Sequence, residues 1–258
     1  MTALVNIALV LILSQDTTAP PSWADTAEAE FGAMNYDRSI TIYDSLLTSS
    51  SDSALILWKL ARSWVCAGDI APHSERIRYY TEAEGFAAGS VNADSLSSEG
   101  HTWLAASIGN IAMYEGGKTK IQLCRTVKKE IDRALELNPK NALAYSILGS
   151  FYKALGDVSW LERRLAGLFL GGLPDGGYEE SEAAFRKAIG LAPEVIRNHF
   201  ELAKVYMLQD RDEEAFVEFQ RALWLPNHIG MDCEMQQSAV ELLEELREKH
   251  PREFRKAE

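Results

Sequence analysis

Along residues 142–225, large side chains recur at intervals of three and four with a small residue set between them, and the pattern is written twice. The first copy opens on Tyr145, Leu148, Gly149 and Tyr152 and closes on Ser181, Phe185, Ala188 and Pro193. The second opens on His199, Leu202, Ala203 and Tyr206 and closes on Ala215, Phe219 and Ala222, with Pro226 one residue short of the matching proline. Spacings of three and four place side chains on one face of a 3.6-residue helix, so each copy predicts two amphipathic helices packed face to face. Gly149 and Ala203 fall where the paired helices come closest, because a larger side chain would hold the axes apart. Tyr152 and Tyr206 fill the far end of that contact. Pro193 ends the second helix, since proline cannot continue a helix interior.

This is the tetratricopeptide pattern, a helix–turn–helix unit of about 34 residues that stacks into a curved solenoid. The rhythm of the second helix recurs upstream: clearly on Val127, Ile131, Ala134 and Pro139, and weakly on Ala83, Ala87, Ser90 and Ser95 and on Ser39, Tyr43, Leu46 and Ser51. Candidate first helices precede these at residues 98–114, 54–67 and 23–33. The chain therefore predicts an all-α, right-handed α-solenoid of about five helix pairs. The clearest repeats cover residues 98–141, 142–195 and 196–229, and a capping helix covers 231–254. The fourth pair carries an insertion, since 20 more residues separate Tyr152 from Ser181 than separate Tyr206 from Ala215. Residues 160–170 are helix-like and residues 171–177 are a turn cluster. The insertion is either an extra packing helix that lengthens the first helix or a cover over a site.

Composition narrows the picture. With 258 residues, 47% of them apolar and 25% charged, the chain has the profile of an ordinary globular domain. A formal charge of −12 argues against non-specific nucleic-acid binding, which rewards basic faces. The charge is uneven. Lys118, Lys120, Arg125, Lys128, Lys129 and Arg133 stand against Glu130 and Asp132, so this helix is either a docking face for an acidic group or a solvated face. Residues 3–13 are apolar except for Asn6, too short for a membrane span and of the length of a signal-peptide core. Residues 1–24 thus read as a signal peptide and leader, although the usual preceding basic residue is missing. Cleavage after Ser14 or Ala24 would send residues 25–258 to a periplasmic or secreted location with no transmembrane span in the mature chain. Cytoplasmic placement follows if the run is not a signal. Cys66, Cys124 and Cys233 form no CxxC pair and read as structural thiols, with a 66–124 bridge open.

Catalytic signatures are absent: there is no phosphate-cradling glycine loop, nucleophile elbow or HExxH helix. His228 and Cys233 are too few ligands for a metal, so no catalytic residue, metal or cofactor is expected. The better expectation is a recognition surface. First helices line the concave side of such stacks, which directs Arg197, Phe200, Lys204 and Met207 inward in the last repeat, and Ser146, Ser150 and Lys153 in the one before. One aromatic, one methionine and two lysines suit a peptide's apolar side chains and a carboxylate. The alternative is a transporter- or envelope-associated subunit with a small ligand under the 157–177 insertion.

Particular words then carry a family resemblance. His101 and Trp103 lie on one helix; Glu115, Gly116, Lys118, Lys120 and Ile121 form a step; Trp160, Arg163, Arg164 and Ala166, followed by Pro174, Tyr178 and Glu179, form the insertion. Over about residues 75 to 245 the chain resembles the regulator of microtubule dynamics family, and the insertion is the most specific part. The resemblance implies a helical-repeat, non-enzymatic interaction domain for a protein or peptide partner. It also implies that His101, Trp103, Lys118, Lys120, Arg163 and Arg164 share a binding groove, or that the arginines tie the insertion down by ion pairs.

Overall fold

The computed structural model describes residues 22–48, 53–115, 117–170, 172–251 and 254. Twelve α-helices occupy these described residues: α1 (Trp23–Gly32), α2 (Tyr36–Leu47), α3 (Ser53–Ile70), α4 (His73–Ala93), α5 (Ser98–Ala112), α6 (Gly117–Leu137), α7 (Ala142–Gly156), α8 (Trp160–Leu170), α9 (Tyr178–Leu191), α10 (Ile196–Leu208), α11 (Asp212–Trp224) and α12 (Asp232–Lys249). They form five pairs, α1/α2, α3/α4, α5/α6, α7/α9 and α10/α11, with α8 inserted into the fourth and α12 packed on the last. The apolar run at residues 3–13 lies outside the described residues. Ser22 accepts from the Asp25 backbone N–H at 3.1 Å while the Asp25 carboxylate accepts from the Ser22 N–H at 3.0 Å, a capping box that starts α1. Cleavage after Ala24 would remove that cap.

The repeat rhythm becomes the core. Tyr43, Ile131, Phe185 and Phe219 on the second helices are each 0% exposed, as are the small partners Ala87, Ala134, Ala188 and Ala222. Where a pair carries serine instead, the hydroxyl bonds across the helix interface: Ser90 donates to the Ala54 carbonyl at 2.9 Å and Ser181 to the Gly149 carbonyl at 2.7 Å. The first two pairs look degenerate in sequence because hydrogen bonds replace some of the apolar contact. At the far end α12 buries Met235, Ala239, Leu243 and Leu246, and Phe254 stacks on Phe216 with centroids 4.3 Å apart.

The insertion does not lengthen α7. That helix ends at Gly156, and α8 is a separate helix whose return to α9 turns on Gly172 (φ +83°) and Gly176 (φ +125°). Both angles favour glycine, and at Gly176 a Cβ would also lie 2.4 Å from the Tyr152 ring. Arg163 holds the loop by donating to the carbonyls of Leu155 (2.7 Å), Gly176 (3.3 Å) and Pro174 (3.4 Å), and Arg125 donates to the Gly172 carbonyl at 2.7 Å. The bonds that tie Arg163 to the insertion are therefore to carbonyls rather than to the carboxylates that an ion-pair reading expects.

At the N-terminal end, Glu28 on α1 receives Lys59 (2.6 Å), Arg62 (2.8 Å) and the Tyr43 hydroxyl. Burial opposes its charge, but these three hydrogen bonds outweigh burial and hold the carboxyl at about 2, below its ordinary 4.5. A depressed carboxyl stabilises fully above the unfolded value and loses that contribution as pH falls through the folded one. Acidification from about 4.5 towards 2 should therefore loosen α1 from α3. Amide exchange across α1 and α2 should rise in that window for the native chain, and Glu28→Gln should remove the pH dependence.

Candidate functional site: the concave face

The first helices of the pairs bring a polar cluster together on the inner face. Lys153 on α7 donates to the Glu201 carboxylate on α10, and Lys204 lies 3.8 Å from the other Glu201 oxygen. Burial works against the Glu201 charge, yet Lys153, Lys204 and Arg197 together keep its carboxyl below the usual range. Burial pushes Lys204 down; attraction to Glu201 offsets part of this, and neighbouring Lys153 adds to it. Arg197 also acts electrostatically on Asp69 of α3, which accepts the Tyr80 hydroxyl at 2.9 Å. Burial raises the Asp69 carboxyl, and Arg197 counters only part of that. The result is three cations around two carboxylates, with the Lys204 ammonium 5.4 Å from the Phe200 ring.

This face is covered by the chain itself. The loop between α11 and α12 reaches back to the first pair, where the Gly230 N–H donates to the Tyr36 hydroxyl at 2.9 Å. Asp232 shapes that loop by accepting the N–H groups of His228 (2.7 Å) and Ile229 (2.9 Å). The side chains of Lys153 and Glu201 are only 17% and 14% exposed.

A second arrangement recurs between first and second helices. His101 on α5 meets Glu130 on α6 through Nδ1 at 2.6 Å and the Ser95 carbonyl through Nε2 at 3.2 Å. His199 on α10 meets Glu218 on α11 at 2.6 Å and the Pro193 carbonyl at 3.0 Å. In the repeat register, both histidines take the opening position, and both glutamates precede the large buried residue of the second helix. Both carbonyls lie six residues upstream of their histidine. In the fourth pair the same two positions are Tyr145 and Ala184.

Of the residues expected in a groove, Arg197 and Lys204 lie at the concave cluster. Phe200 is 7% exposed and set edge-on to Phe219 at 5.7 Å, and Met207 is half-buried against the same core. Ser146 is buried, and Ser150 donates to its carbonyl at 3.2 Å. His101 is buried in its pair with Glu130, while Trp103 is half-buried against Val65, Tyr80 and Ala83. Lys118 and Lys120 are exposed in the first turn of α6, and Arg164 is exposed on α8. Lys118 stands apart from His101 along α6, while Arg163 donates to the carbonyl of Pro174, which lines the same cavity as His101. Glu130, which holds His101, stands 12 residues along α6 from Lys118, about 18 Å at 1.5 Å per residue. A cavity of about 720 Å³ beside α6 is lined by His101, Arg125, Lys128, Glu130, Arg133 and Pro174, among others. Most of the side chains around it are charged. Glu201, Asp69, Tyr36 and Gly230 are not legible as a site in the sequence, because no local spacing links α3, α10 and the 225–231 loop. All three cysteines are free, and no group of three His, Cys, Asp or Glu residues among the described residues could hold a metal.

Stacked helix pairs around a polar inner face define a tetratricopeptide-type repeat fold. A thermophilic protein of this repeat class from Thermus thermophilus superposes with a TM-score of 0.64 at 17% identity, over 86% of this chain and 97% of that one. The chain belongs to the family described as regulator of microtubule dynamics protein 1-3, whose model matches residues 24–247. It is 29% identical to regulator of microtubule dynamics protein 1 of Bos taurus over 203 residues, which is 78% of this chain and 64% of the relative. To protein 2 of Homo sapiens it is 24% identical over 198 residues, 76% of this chain and 48% of the relative. The chain thus spans under two thirds of these relatives' length. No helix among the described residues is long and apolar enough to cross a membrane.

Proposed function

We propose that the chain is a non-enzymatic scaffold whose concave face holds an acidic segment of a protein partner. Lys153, Arg197 and Lys204 read that segment's carboxylates. The observation that supports this is the convergence of those three cations on the single carboxylate of Glu201. An incoming carboxylate relieves the repulsion between the two ammonium groups, and the Phe200 ring edge offers an apolar neighbour. Lys204→Glu leaves the core untouched and should abolish partner capture in a cross-linked pull-down of the tagged chain from its own cells. Capture that survives Lys204→Glu, with the variant folded, would sink the concave reading.

A second reading has one observation behind it. Lys118 and Lys120 are exposed at the start of α6, and the relatives are named as regulators of microtubule dynamics. Co-sedimentation with microtubules that depends on Lys118 and Lys120 rather than Lys204 would favour it.

A further inference from the structure

We infer that the concave face is gated by an intramolecular seam between the 225–231 loop and the first two helix pairs, and that this seam must part before a partner can enter. The inference rests on the concave reading above for what the gate controls, but the seam itself stands on separate observations. First, a charged side chain of the inner face is largely covered although only this chain is present: the Glu201 side chain is 14% exposed. Second, the ends of the solenoid meet. The Gly230 N–H donates to the Tyr36 hydroxyl 194 residues away at 2.9 Å. Third, Gly230 is packed so closely that a Cβ would lie 2.8 Å from Ile70 Cγ2. Its backbone thus lies directly against the second pair.

The seam is strong in position and weak in extent. A solenoid is quasi-one-dimensional, so each pair normally touches only its neighbours. A contact between first and last pairs is therefore an addition to the stacking rather than part of it. It consists of one neutral hydrogen bond and a small apolar contact, flanked by the electrostatic pull of Arg197 on Asp69. Breaking it leaves every helix pair intact. That is the character of a two-state element a partner can bias.

Cys66 reports on the seam without any ligand. It is 8% exposed, packs with Tyr36, the loop's hydrogen-bond partner, and feels both Arg197 and Asp232 electrostatically, so it lies beside the seam. Burial pushes its thiol up to about 12, so it reacts slowly while the seam is shut.

The test uses the full chain with Cys124 and Cys233 replaced by serine, leaving Cys66 as the sole thiol, and 5,5′-dithiobis(2-nitrobenzoate) as the probe. Gly230→Leu drives a side chain into Ile70 from the distant loop and should speed Cys66 labelling at least several-fold, with helical content and thermal midpoint retained. An Ile70→Cys/Gly230→Cys pair, oxidised before labelling, should slow it below the parent. Equal rates in parent, wedge and oxidised pair would overturn the gate. If the wedge unfolds the chain, the oxidised pair decides alone: slower labelling supports the gate, and an unchanged rate overturns it. Partner capture that survives Lys204→Glu would refute the concave reading and leave the labelling result standing, so the two failures are distinguishable.

Discussion

Gly149→Leu should lower the thermal midpoint by several degrees and release the fourth helix pair first. Any Cβ at residue 149 would stand 2.8 Å from the ring of Phe185, which is 0% exposed and has no room to retreat. The glycine's own carbonyl is held by Ser181 across the same crossing, so the backbone cannot simply slide. Overpacking of this kind costs about 1–3 kcal/mol, a sizeable part of the roughly 5–15 kcal/mol that holds an ordinary domain. Nearest-neighbour stacking localises the damage, so amide exchange should rise across α7, α8 and α9 before it rises in α3 or α4. Gly85→Ala is the matched control. Gly85 is exposed within α4 and a Cβ there meets nothing within 4 Å, so the change should stabilise by up to about 1 kcal/mol through helix propensity. An unshifted midpoint for Gly149→Leu would mean that α7 and α9 do not pair in this register.

Breaking one His–Glu pair should cost about 3 kcal/mol, and repairing it with the chain's own alternative should recover most of that loss. The side chains of His199 and Glu218 are 6% and 10% exposed, so removing either leaves a buried polar group without its partner. His199→Tyr alone strands Glu218 against Arg221 only, and Glu218→Ala alone strands the Nδ1 of His199. The double change reproduces Tyr145 with Ala184, a combination the fourth pair already accommodates. Urea unfolding of the two single variants and the double closes a mutant cycle. Strongly non-additive losses are expected; additive ones would show that the recurrence of His101–Glu130 and His199–Glu218 is structurally incidental.

The two variants show what a linear reading reaches. Gly149, Phe185 and Ala188 can be placed from spacing alone, because a helix period of 3.6 and a need for close approach act within a few turns of chain. The same logic locates five pairs, the insertion and the capping helix. The His–Glu pairs are half legible: the histidines stand at the register's opening position, but nothing marks Glu130 and Glu218 among many surface carboxylates. Arg163 is legible as part of the insertion, yet its partners are backbone carbonyls, which every residue carries and no motif can flag. Phe200 and Met207 sit at positions that the repeat template turns toward a ligand, but the helix turns them into the junction with the second helices, where burial of an aromatic ring gains most.

By itself, the sequence determined the class of fold, the order of its pairs and the small residues at each crossing. All of these follow from spacings shorter than about 40 residues. Only the tertiary structure decided that Lys153, Lys204 and Arg197 share Glu201, and that Gly230 returns to Tyr36. Each pair adds a small rotation to the last, and whether five such rotations bring the ends together depends on their sum. That sum is a property of the whole stack, and no single helix carries it.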